Sequence, residues 1–179
     1  MKKLLFPLIF SFFGLAACSS APIESSATKI HYAPPSLSLK LEQKLNYSQY
    51  PDEQALGKLV QSRITAAMKQ QGLLADSATQ NPMTVTIDMH YRRVFAGEGT
   101  PLPSSSIAPP IVDYTIVVSD HGTEKARYQR NNITVNRGFG NNLVFIFTLG
   151  LGRTPKDEVG DINILAKGIA TDIGNLHVQ

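Results

Sequence analysis

The stretch 83-MTVTIDMHYRRV-94 decides the fold. Met83, Val85, Ile87, Met89 and Tyr91 alternate with Thr84, Thr86, Asp88, His90 and Arg92. A period of two sends successive side chains to opposite faces of a strand, so one face of this segment meets a core and the other meets water.

Working outward, the elements on either side supply that core. Upstream, Leu56, Leu59, Val60, Ile64, Ala67 and Met68 recur at helical spacing. Tyr50-Pro51-Asp52-Glu53 reads as the helix start, with Pro at its first position, and Gly72 as its stop. Further upstream, Leu37, Leu39 and Leu41 alternate with Ser38 and Lys40, which predicts a short strand. Downstream, 96-AGEGTPLPSSSIAPP-110 is a fifteen-residue loop, longer than a simple hairpin needs. "IVDYTIVVSD" and "EKARYQRNNITV" then read as two strands joined at "DHGT", where His121-Gly122 supplies the φ > 0 position. After Pro155, Val159, Ile162, Leu165, Ala166, Ile169 and Ile173 keep helical spacing, with acids near the start. Glycines inside such a helix each cost about 1 kcal/mol relative to Ala; Gly168 reads as a point of close approach to the sheet. The order is β-α-β-β-β-α. It predicts an α+β fold, a two-layer sandwich in which a mostly antiparallel sheet of about four strands carries two helices on one face. A β-α-β crossover makes one parallel pair within it.

The N-terminus has a different grammar. Lys2 and Lys3 precede an apolar run from Leu4 to Ala17. At ~1.5 Å per residue this run reaches only ~21 Å, short of the ~30 Å that a spanning helix must cross. Residues 1–17 therefore read as a secretory signal peptide. Leu15-Ala16-Ala17-Cys18 resembles a bacterial lipobox, whose cysteine accepts a diacylglycerol thioether before cleavage on its N-terminal side. The resemblance implies that Cys18 is a lipid anchor, since several acyl chains hold a protein to a membrane effectively permanently. Cys18 is the only cysteine, so no internal disulfide is available. In lipoproteins of this kind from enteric bacteria, Asp after the cysteine retains the protein in the inner membrane. Ser19 implies sorting to the outer membrane, facing the periplasm. Residues 19–36, rich in Ser, Ala and Pro, read with Cys18 as a lipidated, flexible tether, leaving 37–179 as a single domain.

Lys plus Arg is 17 and Asp plus Glu 14, but removal of residues 1–17 takes Lys2 and Lys3 and no acid. The mature chain is nearly neutral. No basic cluster is longer than Arg92-Arg93, so no nucleic-acid partner is expected.

Catalytic signals are absent. His31, His90, His121 and His177 lack metal-ligand spacing, so no metal or cofactor is expected. Asp88, His90 and Arg92 share one face of a strand, and a solvated outer face explains them better than a catalytic group does. Ser104-Ser105-Ser106 lacks the glycines of a nucleophile elbow. "RGFGNN" and "GLGR" lack the strand-to-helix context and Lys of a phosphate cradle.

The anchor, the helix ending "KQQGL", the strand-turn-strand "VDYTIVVSDHGTEKARYQ" and the closing "AKGIATDIGNL" together resemble small bacterial outer-membrane lipoproteins of the YajG type. The layout also resembles the periplasmic α/β domains of outer-membrane assembly lipoproteins such as the curli secretion protein. Neither resemblance supplies a catalytic motif. The expectation is a non-enzymatic envelope lipoprotein that binds protein partners. An oligomeric pore or export component is the alternative, ahead of a periplasmic enzyme. The run 143-LVFIFTLGL-151 bears on that choice. Leu143, Phe145, Phe147 and Leu149 are candidate partner-binding residues, with burial in the domain favoured and membrane insertion the third reading. A lone strand in lipid would leave its backbone unsatisfied.

Overall fold

The structure is a computed structural model that describes residues 30–135 and 152–178. Four strands, β1 (Ser36–Glu42), β2 (Thr84–Arg92), β3 (Ile111–Asp120) and β4 (Thr123–Thr134), form one sheet in the order β1-β2-β3-β4. Helix α1 (Glu53–Gln70) lies between β1 and β2, and α2 (Pro155–Gly174) follows β4. β1 pairs with β2 in parallel, while β2–β3 and β3–β4 are antiparallel. The expected α+β layering, with one parallel pair, is what the chain adopts.

The core follows the alternation. Val85, Ile87, Met89 and Tyr91 of β2 and Val112, Tyr114, Ile116 and Val118 of β3 are all buried. They meet Leu56, Val60, Ile64 and Met68 of α1 and Ile162, Leu165, Ile169 and Ile173 of α2 in one cluster. The two helices run side by side in the same direction. At one end Gln71 Nε2 donates to Thr171 Oγ1 at 3.3 Å. At the other, Arg93 joins Pro51, just before α1, to Glu158 in the first turns of α2.

Local chemistry sets the helix ends. Asp52 caps α1, which leaves Pro51 just outside the helix and not at its first position: Asp52 Oδ1 accepts from Ala55 N at 2.8 Å, which satisfies an otherwise unpaired donor. Gly72 terminates α1 with φ +64, and Leu73 N donates back to Met68 O at 2.9 Å. In α2, Thr154 N donates to Asp157 Oδ2 at 2.9 Å and Pro155 occupies the first turn.

Three features depart from the sequence reading. Residues 31–35 do not belong to a tether. Tyr32 is 2% exposed, bridges to Leu74 and Met83, and donates its N–H to Leu73 O at 2.9 Å. An aromatic ring in an apolar stretch gains enough by burial to order its neighbours, so the domain starts upstream of residue 37. Gly168 is exposed and a Cβ there would meet nothing within 4 Å, so it marks no close approach. Gly174, by contrast, does stand beside a neighbour, with Leu73 at 3.5 Å from where a Cβ would stand. Finally, residues 94–108 are a pinned ribbon. Ala108 N donates to Val94 O at 2.9 Å, Ala96 N to Ser106 O at 2.8 Å and Ser104 N to Ala96 O at 2.9 Å. Phe95 and Ile107 pair across it and pack with Tyr50 in a second small cluster.

Candidate functional site

The sheet face turned away from the helices collects the polar half of the alternation. Register brings Lys40, His90 and Asp113 into one row across β1, β2 and β3, and Ser38, Asp88 and Thr115 into the next. These side chains, with Gln129 and Asn131, line a shallow concavity of ≈ 310 Å³.

His90 is its centre. Nε2 lies 2.8 Å from Glu42 Oε2 and Nδ1 lies 3.6 Å from Asp113 Oδ2. Arg92 Nη2 lies 3.9 Å from Asp113 Oδ2 and donates to Asn132 Oδ1 at 2.8 Å. Asn132 N donates to Asp113 Oδ1 at 2.6 Å. That last contact exists because β4 carries a bulge between the pairs opposite Val112 and Tyr114. Asn132 adopts φ +54 there, a conformation Asn tolerates better than most residues. His90, Arg92 and Asp113 are each about one-third exposed.

This geometry limits the chemistry. The two carboxylates flank opposite nitrogens of the imidazole, so Glu42 and Asp113 cannot join the same ring nitrogen around one ion. Among the described residues no group of three or more His, Cys, Asp or Glu side chains could hold a metal. The ring stands between two carboxylates, yet Nε2 makes no hydrogen bond and Nδ1 lies beyond hydrogen-bond distance of Asp113. The surface it builds is a mixed-charge lattice spanning β1 to β4.

No family model and no curated protein matches the chain. Among solved structures, the crystal structure of the rare lipoprotein B from Shewanella oneidensis aligns over 79% of this chain and 99% of that one, at 15% identity and a TM-score of 0.23. A superposition that poor establishes neither a shared fold nor a shared role.

Of the residues singled out in the sequence, Asp88, His90 and Arg92 share the outer face, and Glu42, Asp113 and Asn132 complete the cluster. Those partners were readable only once strand register was known. Two of the three serines hold local backbone: Ser106 Oγ accepts from Gly152 N at 2.9 Å, and Ser104 Oγ accepts from Ser106 N at 3.1 Å. Cys18, Ser19, Leu143, Phe145, Phe147 and Leu149 lie outside the described residues.

On the inner face the structure reveals polar groups that the sequence reading passed over. Arg93 and Glu158 have side chains 2% exposed and pair at 2.7 Å (Nε–Oε1), with Nη2 donating to Oε2 at 3.2 Å. Arg93 also donates to Gln43 Oε1 at 2.7 Å and Pro51 O at 3.1 Å, and Tyr91 OH donates to Glu158 Oε1 at 3.1 Å. Asp172 accepts from Tyr114 OH and, at 2.8 Å, from Arg130 Nη2. Asp161 pairs with Arg153. Burial pushes the Tyr91 and Tyr114 hydroxyls well above the usual phenol range, reinforced by the acid beside each: Glu158 at Tyr91, Asp172 at Tyr114. These networks fasten α2 to the sheet and to its flanking loops, and offer no open site.

Proposed function

We propose that this chain is a non-enzymatic envelope lipoprotein. Cys18 anchors it to the outer membrane, its α+β domain faces the periplasm, and it works by binding other envelope proteins. The observation that carries the reading is Leu15-Ala16-Ala17-Cys18, placed directly after a short basic and apolar leader. Ser19 supports outer-membrane sorting, and kinship with YajG-type lipoproteins belongs to the same proposal. A shallow, mixed-charge outer face suits contact with a protein surface more than turnover of a substrate.

Radiolabelled palmitate is the direct test. The wild-type chain is expected to incorporate label and partition into detergent, and Cys18→Ser to do neither and keep its leader. Failure of the wild type to label, beside a lipoprotein that does, sinks the anchor. Ser19→Asp is expected to move the protein towards inner-membrane fractions in an enteric host; unchanged fractionation removes the sorting claim alone.

A further inference from the structure

The domain has two poles. At one pole lie Tyr32, the α1–β2 loop through Ser77, the β3–β4 turn at His121 and the end of α2. The chain enters the domain there, thirteen residues after Cys18. At the other pole lie residues 45–50 and the 94–108 ribbon, separated from the first by β2, nine residues long, or ~30 Å at ~3.3 Å each.

The ribbon is built as a support. Tyr47 and Tyr50 stand edge-on to Phe95 with centroids 4.9 and 5.3 Å apart, and Tyr50 OH donates to Ser105 O at 2.7 Å. Phe95 N donates to Glu98 Oε2 at 3.0 Å, and Lys44 pairs with Glu98 at 3.7 Å. Gly97 holds φ +71 with Leu102 O only 2.9 Å from where a Cβ would stand, so the tip closes only on glycine. At that tip, between Pro101 and Pro103, Leu102 is 87% exposed. A single exposed leucine is ordinary on a protein surface. Here, however, a separate aromatic cluster and two prolines hold one in water, so little conformational freedom remains to be lost on docking.

We propose that the 94–108 ribbon is a docking finger, and that it presents Leu102 to an apolar socket on a water-soluble protein partner. The partner class follows from where the chain attaches, and so rests on the lipid anchor at Cys18. Thirteen residues reach at most ~45 Å even fully extended. Turning the finger onto the lipid would use ~30 Å of that reach on the length of the domain. The tip therefore faces away from the membrane.

Two measurements test this. Single cysteines, Ser77→Cys or Leu102→Cys, are labelled with a fluorophore in the acylated full chain on vesicles containing headgroup-nitroxide lipid; the native Cys18 is blocked by its thioether. Strong quenching at 77 and none at 102 is expected, and equal quenching overturns the orientation. A folded chain that does not float with vesicles removes the anchor, and this proposal with it. In cells, a photoreactive residue replacing Thr100 is expected to form a protein adduct that Leu102→Asp abolishes with an unchanged thermal melt. An adduct that survives Leu102→Asp, or one formed with lipid, overturns the finger.

Discussion

Arg93 follows β2 in the phase of Met89 and Tyr91, which carries its guanidinium inward. A buried ion pair is weak evidence of net stabilisation, yet removing one partner strands a charge and costs about 3–5 kcal/mol. Arg93→Met is therefore expected to lower stability by that amount in urea titration, and adding Glu158→Leu to restore much of it. Tyr91 and Tyr114 act at the other end of the pH scale. Their raised folded-state values mean that above pH ~10 the unfolded chain loses phenolic protons that the folded chain keeps. Stability from these groups is thus complete below pH ~10 and declines above it. Urea midpoints are expected to fall between pH 9 and 11, less steeply in Tyr114→Phe. The inward phase of residue 93 was legible in the alternation of 83–91. Glu158, Asp161 and Asp172 likewise fall in phase with Ile162, Leu165 and Ile169. Clustered near a helix start, the first two look like dipole partners; only the facing arginines reveal that they are buried.

Elements with clean periodicity were legible almost to the residue, because one polar and one apolar face leave a single register that buries the core. β4 is different. Its pattern is mostly exposed, and two register shifts break it, between the pairs at Val112/Tyr114 and at Val118/Ser119. Bulges depend on backbone strain and partner spacing, which a one-strand pattern does not encode. The outer-face cluster was half legible for the same reason: Asp88, His90 and Arg92 share a strand, while Asp113 arrives through the β2–β3 register and Asn132 through the bulge. In α2, open space around Gly168 makes it a plain helical defect. Gly168→Ala is expected to raise stability by about 0.5–1 kcal/mol, read as an increase in melting temperature.

For the whole molecule, the boundary of the folded unit moves upstream to include Tyr32. A chain beginning at Ile30 is expected to melt cooperatively. One beginning at Ser36 loses a buried aromatic side chain and is expected to be less stable by about 3–5 kcal/mol; equal melting temperatures would return residues 31–35 to the tether. The position of α2 has a further consequence, for the order in which the protein comes into being. Chains emerge N-terminus first, and β1 to β4 can pair before α2 exists. Their inner face then holds Arg93 with no Glu158, Tyr114 and Arg130 with no Asp172, and no cover from Ile162, Leu165, Ile169 and Ile173. Completion thus waits for the synthesis of α2. Nascent chains arrested before Pro155 should be cut rapidly by protease, and those extended past Asn175 should resist it. A premature stop before α2 would remove the fold, not trim it.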